Sequence, residues 1–67
     1  MPNIQELINC HESQTKLRFL LKNGKVKNGV ILHIIKDEFI IIRTDQFRIK
    51  HDLIKLTEIF KVVGLTN

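Results

Sequence analysis

The chain has 67 residues, with eleven Lys plus Arg against seven Asp plus Glu, a formal net charge of +4, three His, one Cys and neither Trp nor Tyr. A domain of about 60 residues buries only roughly 60% of the surface its unfolded chain exposes, and so small a core contributes about 3–5 kcal/mol. Cys10 alone cannot close an intrachain disulfide, and His11, His33 and His51 lie too far apart for a zinc site, so oligomerisation is the support that remains. No apolar run approaches the roughly 18 residues of a membrane span and no signal-like segment opens the chain, which reads as soluble and cytoplasmic. The basic balance favours an anionic partner without naming it.

Asn3 is placed to cap a helix, with Glu6 three positions on and Ile4, Leu7 and Ile8 along one apolar face; a short amphipathic helix is predicted from Asn3 to about His11. His11 to Thr15 contains no apolar residue and ends it. Leu17, Phe19 and Leu21 then alternate with Lys16, Arg18 and Lys22, which predicts a strand with one wet face. Asn23-Gly24 predicts a type I′ hairpin turn, with positive φ at both central positions. Lys25 to Ile35 is the return strand, with Gly29 as a bend or bulge.

Lys36-Asp37-Glu38 turns the chain again, and Phe39 to Ile42, apolar on both faces, fits a central strand. Arg43 to Gln46 reads as a turn, Phe47 to Lys50 as a fourth strand, and Leu53 to Val63 as a fifth running up to Gly64. The whole chain, residues 1–67, is predicted to be one mainly β domain: a short helix followed by a strongly bent five-stranded antiparallel sheet or small barrel over about residues 16–63. Two unpaired edges on so small a sheet are an aggregation liability unless they pair with another copy.

Three segments carry a resemblance: Leu21-Lys22-Asn23-Gly24 with Val26, Gly29 and then Asp37-Glu38-Phe39; Ile49-Lys50-His51-Asp52-Leu53-Ile54; and Asn3-Ile4-Gln5-Glu6. In this order they resemble the Sm fold, and within that superfamily the Hfq family of bacterial RNA chaperones. The second segment is similar to that family's Tyr-Lys-His-Ala-Ile stretch between the fourth and fifth strands. The likeness is a divergent one. Gly29 to Asp37 is longer than in the family, Phe39 to Lys50 is shorter, and Leu20, Glu38 and Ile49 stand where the family has an aromatic, a Gln and a Tyr.

The resemblance implies a ring, a homohexamer closed by pairing the last two strands of neighbouring copies. Six copies at +4 each carry about +24, enough to attract RNA by counterion release. It further implies that uridine-rich single strands bind around the pore. There Phe39 would stack on a base, Lys50 and His51 would contact its edge and backbone, Gln5 would close the site, and Glu38 would replace an amide. On the opposite face the implied adenine-binding positions are Leu20, Gly24, Lys25, Val26, Lys27 and Asn28, and Lys16 and Arg18 are the counterparts of a basic rim. The implied role is post-transcriptional regulation, with small regulatory RNAs and messages as partners.

The same residues have plainer readings. Lys50-His51 can be an exposed charge pair on a turn, Phe39 a core residue, Gln5 a helix-surface residue and the hairpin lysines a solvated face. Adjacent Cys10 and His11 point away from each other on a helix and do not make a nucleophile and base. No paired carboxylates, phosphate loop or metal spacing is present, so the sequence reads as a non-enzyme without a cofactor. An SH3-like barrel serving as a protein-interaction module stays open beside the RNA reading, because small barrels host many functions. Charge alone keeps DNA in view.

Overall fold

Asn3 caps the first helix, its Oδ1 accepting from the Gln5 backbone N–H at 2.8 Å. This helix, α1, spans Ile4–Ser13 and buries Leu7. It runs further than the apolar spacing indicated because the polar stretch Glu12-Ser13 completes the last turn. Gln14 ends it in the left-handed region at φ 54°, with its N–H donating to the His11 carbonyl at 3.2 Å. The computed structural model describes residues 3–45 and 50–65.

Five antiparallel strands follow: β1 (Lys16–Leu21), β2 (Val26–Ile35), β3 (Phe39–Asp45), β4 (Lys50–Lys55) and β5 (Ile59–Gly64), in the spatial order β4-β3-β2-β1-β5. The mainly β class with a short leading helix is as the sequence indicates. Among the described residues β4 pairs only with β3 and β5 only with β1, so these two strands are the sheet edges. A single 3-10 turn, Leu56–Glu58, joins one edge to the other.

Three sequence expectations change. The first hairpin is not type I′: Gly24 alone has positive φ, 87°, after an i to i+3 bond from its N–H to the Leu21 carbonyl at 3.0 Å. That is a type I turn followed by a left-handed glycine, the usual solution when the loop is longer than two residues. Consecutive positive φ values occur instead at Lys36 (50°) and Asp37 (56°), in the β2–β3 turn. The fourth strand is described at Lys50–Lys55; of the expected Phe47 to Lys50, residues 47–49 lie outside the described residues. It is set in register by Ile54, whose partner Ile40 is fully buried. The fifth strand accordingly begins at Ile59, and Leu53 belongs to β4.

Alternation along each strand builds one core. Phe19, Ile31, Ile40, Ile42, Ile54 and Ile59 are each at most 1% exposed, and Leu7 of α1 covers them. Cys10 is half-buried against this cluster, a packing role. Among the described residues no helix is long and apolar enough to cross a membrane.

The halves of β2 serve different neighbours: Val26 to Val30 pair with β1, and Val30 to Ile35 with β3. Gly29 sits at the handover. A Cβ there would stand 2.3 Å from the Arg43 carbonyl oxygen, so only glycine permits the approach of β3 backbone. The bulge lies elsewhere, between Ile31 and His33. Gly29→Ala is expected to cost about 1–3 kcal/mol in chemical denaturation, by forcing backbone apart. Gly64→Ala, with nothing within 4 Å of the added carbon, should change stability by less than about 0.5 kcal/mol.

Candidate nucleic-acid interface

Directly paired residues in an antiparallel sheet point to the same face. The pairs Lys16–Val30, Val30–Arg43 and Arg43–His51 therefore put Lys16, Arg43 and His51 in one row across β1, β2, β3 and β4, on the face away from the core. Arg18 and Asn28 form the next row, joined by a bond from Arg18 Nε to Asn28 Oδ1 at 3.2 Å. Lys16, Arg18, Arg43, Lys50 and His51 are all exposed. Four strands about 4.8 Å apart make this a basic stripe about 14 Å across.

Beside the stripe lies the mouth of the sheet. Lys27 pairs with Phe19 and Asp52 with Ile42, so both point toward the core side. They meet over the intervening strand, Lys27 Nζ to Asp52 Oδ2 at 3.3 Å, the one ion pair among the described residues. A cavity of about 330 Å³ opens here, lined by Val26, Lys27, Asn28, Thr44, Lys50 and Asp52. Thr44 steadies the start of β4, its hydroxyl donating to the Lys50 carbonyl at 3.4 Å.

The other end of the sheet is different in charge. Asp37, Glu38 and Glu58 are exposed there among Lys22, Lys36 and Lys55. Asp37 and Glu38 line a cavity of about 430 Å³ with Lys55, Leu56 and Thr57. Leu56 N–H donates to the Glu38 carbonyl at 2.8 Å and ties the β4–β5 turn to the β2–β3 turn.

Within one copy, the positions implied for the pore site, which the resemblance builds between neighbouring copies, are spread along β3 and β4. Phe39 opens β3 and pairs with Lys55, whereas His51 pairs with Arg43, four residues further along β3 and about 13 Å away. Lys50 lies beyond that. Lys50 and His51 begin the fourth strand and do not lie between the fourth and fifth, because the buried Ile40–Ile54 pair fixes the register of β4. Glu38 stays beside Phe39, which is half-buried on the outer face and absent from the buried core. Gln5 is exposed on α1, donating from Nε2 to Asn9 Oδ1 at 3.1 Å. Of the positions on the implied opposite face, Val26, Lys27 and Asn28 line the mouth with Lys50. Leu20 is half-buried on the outer face opposite Val26, while Gly24 and exposed Lys25 belong to the hairpin turn.

Arg43, Thr44 and Asp52 are the contributors sequence reasoning passed over. The sequence predicts a turn from Arg43 to Gln46, but β3 runs to Asp45, and Arg43 continues the in-out alternation after buried Ile42, the period that finds it. No protein-family model matches the chain and no curated protein matches it.

The Lys27–Asp52 pair is about one-third exposed on each side, so screening limits its worth. A double-mutant cycle with Lys27→Ala and Asp52→Ala, read by denaturant unfolding, is expected to give a coupling of about 0.2–1 kcal/mol that shrinks with added salt.

Proposed function

We propose that the chain assembles edge to edge into an Sm-like ring and binds single-stranded RNA along the basic end of its sheet. The observation that carries the proposal is the character of the two edges. Each has backbone groups without a strand partner among the described residues, and each exposes large apolar side chains: Leu53 at 61% on β4, and Phe60 at 70% and Val63 at 37% on β5. Bare edges with apolar flanks favour another strand as occupant. Because the two edges are different, one copy offers β4 where the next offers β5, a head-to-tail contact that closes into a ring when its rotation permits.

The short link between the edges supports a strongly bent sheet. From Lys55 to Ile59 the chain takes four Cα steps of about 3.8 Å, reaching about 15 Å at most. Five flat strands would hold their edges about 19 Å apart. The Lys27–Asp52 contact over β3 points the same way. Bending turns the two edges outward at an angle, the condition for a closed ring rather than a flat ribbon.

RNA is favoured as partner by charge placement. The row Lys16, Arg43 and His51 with Arg18 and Lys50 is a cationic track, and ring closure would repeat it around the assembly. Single-stranded nucleic acid is held by such tracks, with affinity that falls as salt rises. At the other end Asp37, Glu38 and Glu58 offset Lys22, Lys36 and Lys55, so no net cationic excess is left there for phosphate. A role in post-transcriptional regulation is extended to this chain on its resemblance to the Hfq family.

Size-exclusion chromatography with light scattering tests the assembly. The expected mass is a multiple of 7.9 kDa, falling to one chain's mass in Leu53→Lys combined with Phe60→Lys, with circular dichroism unchanged. A wild-type mass of one chain would reject the ring. For RNA, Arg43→Ala and Lys16→Ala are each expected to lower the slope of log K against log salt by about 0.7, the value for one lost contact to a single strand. Unaltered slopes in both would remove the stripe from the interface.

A further inference from the structure

We propose that the mouth of the sheet is a base-reading pocket with preference for guanine, and that the Lys27–Asp52 ion pair is its reading edge. The inference rests on the RNA-binding reading above and names what that end of the sheet selects. A carboxylate beside an ammonium presents two acceptors and then a donor in sequence. Asp52 contributes Oδ1 and Oδ2, and Lys27 Nζ stands 3.3 Å from Oδ2.

The Watson–Crick edge of guanine is the complement of that row. Its N2 amino and N1 imino groups donate, and its O6 accepts, so guanine makes three bonds with the pair already in place. Adenine offers one donor beside one acceptor and cytosine one donor beside two acceptors, and each makes two bonds with the pair. Uracil offers a donor flanked by two acceptors. Its N3–H can meet Asp52 and one carbonyl can meet Lys27, but its second carbonyl then opposes the remaining carboxylate oxygen.

The surroundings suit a nucleotide of a chain. The cavity, about 330 Å³, is at the lower end of the range for ligand pockets, as a single base requires. Val26, 52% exposed, gives the base an apolar wall. Asn28 lines the same cavity, its side-chain oxygen accepting from Arg18 Nε at 3.2 Å. Lys50 lines the same cavity, where a phosphate next to a bound base would pass. The ion pair is about one-third exposed, so a base can reach it without opening the core.

Fluorescence anisotropy with two labelled nine-residue RNAs tests this, one all uridine and one with guanosine at its centre. The guanosine strand is expected to bind about tenfold more tightly. Asp52→Asn, which keeps the shape but turns an acceptor into a donor, should reduce that ratio to about twofold or less while the all-uridine strand binds as well or better. Lys50→Ala should weaken both strands alike. Equal binding of the two strands by the wild-type protein, or a ratio unchanged in Asp52→Asn, would overturn the guanine assignment while leaving RNA binding intact. Failure of both strands to bind would instead overturn the RNA-binding reading, and this inference with it.

Discussion

The contact on which the rest of the architecture depends is between two backbones, Gly29 of β2 and the carbonyl of Arg43 in β3. No side chain fits between them. At that point β2 stops serving β1 and begins serving β3, with Val30 the only residue paired to both. The basic row follows from it. The same approach that removes space for a Cβ sets Val30 against Arg43, and with it the row from Lys16 to His51. On the first half of the same strand, Lys27 meets Asp52 over the intervening strand.

Little of the charge near this point is used to hold the fold. Of the described cations in the stripe, none is in an ion pair, and the single pair that exists is partly exposed and worth at most about 1 kcal/mol. The core is apolar, with no buried polar side chain among the described residues. Stability therefore comes from the isoleucine-rich interior and, in the proposed ring, from burial of Leu53, Phe60 and Val63 against a neighbour. The basic end is left free to meet an anion, whereas at the opposite end three carboxylates offset three lysines. One sheet thus has two chemically different ends, and the proposed selectivity uses only one.

The helix, the first strands and the core were legible in the sequence because each depends on a short-range period: Leu7 on a helical face, and Leu17, Phe19 and Leu21 in alternation. The element boundaries from Arg43 onward were not. Register there is set by a long-range pair, Ile40 with Ile54, which no local pattern announces. The sequence pattern puts Lys50 at the end of a strand from Phe47, and the resemblance puts Lys50 and His51 in one pocket with Phe39. With Ile54 facing the core, both instead open the strand and join Arg43 and Asp52. Gly29 suggests a bend or bulge in the sequence; the bulge lies between Ile31 and His33, and what requires glycine is a neighbouring carbonyl, a tertiary cause. Asn23-Gly24 indicated a hairpin correctly and its turn type incorrectly, since a type I turn with a left-handed Gly24 satisfies the same residues.

The account's central claim is that RNA meets the sheet at its basic end and not at the Asp37–Phe39 turn. Amide chemical-shift mapping during titration with a short single-stranded RNA tests this most directly. The account predicts shifts concentrated at Lys16, Arg18, Asn28, Arg43, Lys50, His51 and Asp52, with Asp37, Glu38, Phe39 and Lys55 nearly unmoved. Shifts centred on Glu38, Phe39 and Lys55 instead would contradict it.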